Sequence, residues 1–169
     1  MKNIVLTGFM ASGKSTIGME LSQISGMEFV DTDELVENSE GITINEIFEK
    51  YGEEYFRDRE SEAVAIAAKK NGAVISTGGG AVLRRENVEL LRKNGVVFNL
   101  EPSAAVICER LNEARSSRPL LAGAELEAVL ERFRKRQPYY DNCDCKIYVS
   151  NSKTPREFAA EILERMRNM

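Results

Sequence analysis

Residues Gly8 to Ser15 read Gly-Phe-Met-Ala-Ser-Gly-Lys-Ser, a G-x-x-x-x-G-K-S loop without a mismatch. Its chemistry is phosphate binding. Backbone N–H groups of such a loop, with the N-terminus of the helix that follows, point at phosphate oxygens. The cradle runs from Ala11 through Ser12, Gly13, Lys14 and Ser15 to Thr16. Lys14 is placed for β- and γ-phosphates and the Ser15 hydroxyl for Mg²⁺. A plain glycine turn with an exposed lysine would leave the spacing of the two glycines unexplained.

Other positions carry chemistry of a matching kind. Asp31-Thr32-Asp33 sets two carboxylates two residues apart, which is costly unless a cation lies near. Asp31 suits the Mg²⁺ shell opposite Ser15, and Asp33 suits orienting or deprotonating an attacking hydroxyl. Either could instead cap a helix beginning near Glu34. Gly78-Gly79-Gly80 suggests close backbone approach to a ligand and positive φ angles, or else a flexible connection. Within Phe56-Arg57-Asp58-Arg59-Glu60, Arg57 and Arg59 lie on different helical faces. Arg57 is the candidate for an anionic substrate group, by bidentate pairing, with surface salt bridging as the alternative. Arg115 to Leu121 forms a proline-bounded loop whose arginines suit charge neutralisation on a transferred group, with an ordinary solvated loop as the alternative. Arg132 to Arg136 is the densest basic run, mostly a solvated face, with Arg136 at its end able to point into a site.

The elements that must position these residues alternate. Strand-like runs are Ile4–Thr7, Glu28–Asp31, Ala73–Ser76, Val96–Leu100 and Lys146–Val149. Helical stretches lie between them: 16–25, 60–70, 87–93, 103–112 and 125–136, the last expected to stop before Pro138. Capping boxes open helices at Thr43 and Thr154. Alternation implies an α/β fold with a parallel sheet covered on both faces. Such sheets bind ligands at the carboxyl ends of their strands. The loops after Thr7, Asp31, Ser76 and Leu100 are therefore expected to converge.

Composition narrows the function. The 169 residues suit one domain, and 43% hydrophobic content suffices for a core. A net charge of −4 and a pI near 5.2 offer no basic field for nucleic acid. No apolar run approaches the ~18 residues of a membrane span, and no signal peptide is evident, so a cytoplasmic location is expected. Three cysteines, Cys108, Cys143 and Cys145, fit a reducing compartment and make no zinc site. The absence of histidine excludes Ser-His-Asp and Cys-His mechanisms and leaves base chemistry to a carboxylate.

The phosphate loop, Asp31-x-Asp33, Phe56-Arg57-x-x-Glu60, the triple glycine, Arg118-Pro-Leu-Leu and Arg136-x-Pro-x-Tyr140 together resemble shikimate kinase, in order and spacing over residues 2 to 165. The resemblance implies a P-loop NTPase fold of the nucleoside-monophosphate-kinase type. That fold is a single domain, 1–169, with a central five-stranded parallel sheet flanked by helices. An acceptor-binding region at 32–60 and a mobile lid at 111–124 are implied with it. The implied reaction is transfer of the ATP γ-phosphate to the 3-hydroxyl of shikimate in aromatic amino-acid biosynthesis, with one Mg²⁺ and a monomeric protein. The roles implied are residue by residue. Asp33 would be the base. Arg57 and Arg136 would hold the carboxylate, with Glu60 steadying Arg57. Gly79, flanked by Gly78 and Gly80, would offer its backbone N–H. Ser15 and Asp31 would organise Mg²⁺, and Lys14 and Arg118 would stabilise the transferring group. Arg110 would stack on adenine, with Asn151 to Pro155, including Lys153, as the other wall.

Two alternatives differ in what they require. A gluconate kinase would share loop and fold, but the triple glycine and Phe-Arg-x-x-Glu favour shikimate. A nucleotide-sensing module would need no acceptor site, whereas Asp33, Arg57 and Arg136 are all present.

Overall fold

The computed structural model describes residues 1–115 and 123–169. Five strands, β1 (Asn3–Gly8), β2 (Glu28–Asp31), β3 (Ala73–Ser76), β4 (Gly95–Pro102) and β5 (Cys145–Val149), form one parallel sheet in the order β2-β3-β1-β4-β5. Each strand falls on a run expected from the sequence, with ends shifted by two residues at most.

Side chains alternate between two cores. Ile4, Leu6, Val74, Val96, Phe98, Leu100 and Ile147 face α1 (Lys14–Ser25) and α7 (Pro155–Arg167). Val5, Ala73, Ile75 and Val97 face the opposite way, against α3 (Ile44–Ala68), α4 (Arg85–Lys93), α5 (Ala104–Arg115) and α6 (Gly123–Tyr140). The period of two is what a strand buried on both faces produces. α2 (Thr32–Glu40) instead joins α3 in a small separate cluster of Val36, Ile47, Phe56 and Ala63.

Two helices depart from expectation. The sequence marks a capping box at Thr43 and a helical stretch from Glu60 as separate signals, whereas one helix, α3, runs from Ile44 through both. Its interior holds Gly52 at φ 81°, ψ 177°, a conformation open essentially to glycine alone. Phe48 stacks on Phe56 and Tyr51 on Tyr55 across this kink, at 4.8 and 4.6 Å between ring centroids. α6 does not stop before Pro138 but runs through it to Tyr140. Proline removes one intrahelical hydrogen bond, and the extra turn carries Tyr140 into the core beside Phe9.

Candidate active site

β1 lies at the centre of the sheet, and the loops following β1, β2 and β3 meet at its carboxyl edge. They line a cavity of about 480 Å³ whose walls include Lys14, Ser15, Asp31, Asp33, Arg57, Glu60, Gly79, Gly80 and Arg136. The loop after β4 does not reach this cavity.

The phosphate loop is tightly constrained. Ala11 is held at φ 61°, the one non-glycine residue with positive φ among those described. Lys14 folds back across the loop and donates to the Gly8 carbonyl (2.7 Å), the Phe9 carbonyl (3.0 Å) and Ser12 Oγ (3.4 Å). Burial pushes its ammonium down to about 8, against the pull of Asp33 and Asp31.

Asp31 caps α2. Its Oδ1 accepts from the Asp33 and Glu34 N–H groups, while Oδ2 accepts from Ser15 Oγ at 2.9 Å. Capping therefore falls to Asp31 and leaves the Asp33 carboxylate on the cavity wall. Burial, then Asp31 and Glu60, push Asp33 up from 3.8 to about 6 despite Lys14. The fold thus holds a proton that the unfolded chain releases. Asp33's contribution to stability is complete below pH 3.8 and lost as pH rises through 6. That shift corresponds to about 3 kcal/mol. Asp33→Asn is accordingly expected to raise the melting temperature of the ligand-free protein at pH 7 and to leave it unchanged near pH 3.5. The same variant is expected to lose the acid limb of kcat/KM near pH 6 and about a hundredfold or more in turnover. Near-normal turnover with intact acceptor binding would remove Asp33 from proton transfer.

Arg57, on α3 beyond the kink, is buried and bonded to Glu60, which is 1% exposed, and it lies 3.4 Å from Glu53. Burial pushes the Glu60 carboxyl up more strongly than Arg57 pulls it down. Arg59 instead pairs with Glu62 over the Tyr55 ring. Arg84 bonds Glu54, Asp58 and the Arg57 carbonyl, fixing this stretch of α3 from behind.

The triple glycine owes its composition to space rather than to backbone angle. None of the three has positive φ, contrary to the sequence expectation. A β-carbon on Gly78 would lie 2.5 Å from Asp33 Oδ1 and 2.7 Å from Glu60 Oε1, and one on Gly80 would overlap the Arg57 guanidinium. Gly78 spends its N–H on Thr32 Oγ1 (3.0 Å). The three carbonyls accept from Ala81 N, Tyr140 Oη and Leu83 N. Among the described residues, this leaves the Gly79 and Gly80 N–H groups for a ligand. Gly78→Ala is expected to displace both carboxylates and lower kcat/KM for the acceptor about a hundredfold, with nucleotide affinity unchanged by calorimetry. Full activity would show that the two carboxylates need not approach Gly78.

A smaller cavity of about 150 Å³ adjoins the loop between Gly13, Thr16, Arg110, Lys153, Pro155 and Phe158. Arg110 is held there by the Ala11 carbonyl (2.8 Å) and Asn151 Oδ1 (3.0 Å), whereas Lys153 pairs with Glu161. Arg118 and the rest of the 116–122 stretch of the expected lid lie outside the described residues. Sequence reasoning missed Arg132, which lines the main cavity one turn before Arg136. The i,i+4 spacing of the two arginines was its signal.

A phosphate loop at the central strand, a hydroxyl–carboxylate pair beside it and an acceptor pocket of arginines and carboxylates define an ATP-dependent small-molecule phosphotransferase of the P-loop kinase type. A family model described as shikimate kinase matches residues 10–167. A shikimate kinase of Thermodesulfovibrio yellowstonii is 44% identical, over 99% of this chain and 98% of the relative. One of Caldanaerobacter subterraneus is 45% identical, over 96% and 95%. The solved shikimate kinase of Acinetobacter baumannii in complex with shikimate superposes with a TM-score of 0.88 at 31% identity, covering 99% and 94%. The chain belongs to the shikimate kinase family. It is an ATP-dependent kinase, a transferase of aromatic amino-acid biosynthesis. A gluconokinase of Sinorhizobium meliloti, at 19% identity and a TM-score of 0.58 over 99% and 94%, shares the fold.

Proposed function

We propose a division of labour for phosphoryl transfer from ATP to the 3-hydroxyl of shikimate. The reading rests on one juxtaposition: Lys14 and Ser15 share a cavity with Asp33, Arg57, Gly79 and Arg136. Arg57 and Arg136 hold the carboxylate, and Glu60 fixes Arg57. Glu60 Oε1 and Arg57 Nε are buried with no hydrogen-bond partner among the described residues. Buried orphan atoms of this kind are rare, and a hydroxylated anion suits them. Asp33 takes the proton of the 3-hydroxyl as its oxygen bonds to the γ-phosphorus. The bond from that phosphorus to the β–γ bridging oxygen breaks, releasing ADP. Lys14 stabilises charge on the transferring group, as does Arg118 in the lid.

Magnesium fits the donor set. Ser15 Oγ and Asp31 Oδ2 are hard oxygen donors 2.9 Å apart at the loop mouth. Among the described residues no cluster of three acidic or soft ligands exists, so the ion's remaining positions fall to phosphate and water, as Mg²⁺ prefers. Bound with ATP, it shields the β- and γ-phosphate charge. Arg110 and the 151–155 segment flank the adenine. The chain acts as one kinase domain, 1–169. Within it the 32–60 region closes over the acceptor and the 111–124 lid over ATP, which keeps water from the γ-phosphate. No helix among the described residues is long and apolar enough to cross a membrane, and a cytoplasmic monomer that binds no nucleic acid agrees with the acidic composition.

The test is ADP release from MgATP with shikimate, gluconate, AMP or no acceptor, the product being identified by mass. Shikimate-dependent release with phosphorylated shikimate supports the reading. Release independent of acceptor overturns it.

A further inference from the structure

We infer that Tyr140 is a positioning residue whose hydroxyl ties the carboxylate arginine and the glycine loop together and thereby sets shikimate affinity. Tyr140 ends α6 and is 2% exposed. Its Oη donates to the Gly79 carbonyl at 2.6 Å. Arg136, one turn earlier on the same helix, lies close enough for its charge to oppose the rise that burial gives the phenol. The ring meets Phe9 edge-on at 6.5 Å between centroids. Phe9 is itself part of the phosphate loop, and its carbonyl accepts from Lys14 Nζ and Ser12 N–H. One side chain therefore stands beside the acceptor clamp and touches the glycine loop and the nucleotide loop.

The physical need for it lies in the glycines. The Gly79–Gly80 peptide has no side chain at either end to resist rotation. A peptide is planar, so fixing the Gly79 carbonyl also fixes the Gly80 N–H on the opposite edge of that plane. The phenol also stands beside Arg136 on the same helix, and a wall that confines the guanidinium before substrate arrives lowers the ordering cost of binding. Burial pushes the phenol up to about 12, so it remains a donor across the working range of pH. The helix reaches this position only because it continues through Pro138.

The inference rests on the reading that Arg136 and the glycine loop contact shikimate, and the experiment separates the two. Tyr140→Phe keeps the ring and removes only the hydroxyl. The expected result is a rise of about tenfold in KM for shikimate, with KM for ATP and kcat changed less than threefold and the melting temperature lowered only slightly. Arg136→Ala is measured alone and combined with Tyr140→Phe; the double variant is expected to lose less than the product of the single losses. If Arg136→Ala raises KM for shikimate and Tyr140→Phe leaves it within twofold, the inference fails and the site reading stands. Arg136→Ala without effect overturns both. A Tyr140→Phe protein that raises both KM values equally, or fails to fold, assigns the hydroxyl to structure and overturns the inference.

Discussion

Lys14→Ala is expected to lower kcat for shikimate phosphorylation about a thousandfold. The ammonium stands at the start of α1, where the helix's own partial charge is positive, and burial already disfavours its charged form. Nothing about ligand-free stability requires a cation there. Its hydrogen bonds run to carbonyls and a hydroxyl of its own loop, and Ser12 N–H still reaches the Phe9 carbonyl without it. The charge becomes favourable when phosphate arrives, and most favourable when negative charge spreads over the transferring group. The variant should therefore keep its circular dichroism spectrum and melt within a few degrees of the parent while transfer collapses. Loss of fold alongside activity, or turnover within tenfold of the parent, would reject this role.

Arg57→Ala carries the second large effect, on binding and stability together. Removing the guanidinium leaves Glu60 buried with no partner for Oε2 as well as Oε1. Breaking a buried ion pair from one side costs about 3–5 kcal/mol. The lower end applies here, because burial already moves Glu60 toward its neutral form and Arg136 and Arg84 lie near enough to help. Shikimate loses half of its carboxylate clamp, and calorimetry should show affinity down by a hundredfold or more. Adding Glu60→Gln is expected to recover much of the stability, read from the denaturant midpoint, and none of the affinity. Unchanged shikimate affinity in Arg57→Ala would remove Arg57 from the clamp.

The strands and their catalytic ends were legible because the information is local. Buried β-branched runs stop at Gly8, Asp31 and Ser76, where residue types change abruptly. The Thr43 capping box announced the start of α3, but Gly52, a helix breaker that two aromatic stacks carry the helix past, hid its continuity with the stretch from Glu60. The glycine triplet stood out, yet its cause did not. The side chains that crowd Gly78 and Gly80 come from Asp33, Arg57 and Glu60, remote in sequence. Pro138 read as a stop because the burial of Tyr140, which outweighs the lost hydrogen bond, depends on Phe9 from the other end of the chain. Asp31 and Asp33 were both seen as candidates, but only the start of α2 at Thr32 decides which one caps.

The break at Gly52 makes α3 two rods joined by a swivel. The second rod bears Arg57 and Glu60 and is bolted to the body of the protein by Arg84, at Glu54, Asp58 and the Arg57 carbonyl. α2, which carries Asp33 in its opening turn, packs against both rods, on Ile47 of the first and on Phe56 and Ala63 of the second. Arg84 thus holds Arg57 and Glu60 in place, whereas a change of angle at Gly52 would reach Asp33 through the contact of α2 with the first rod.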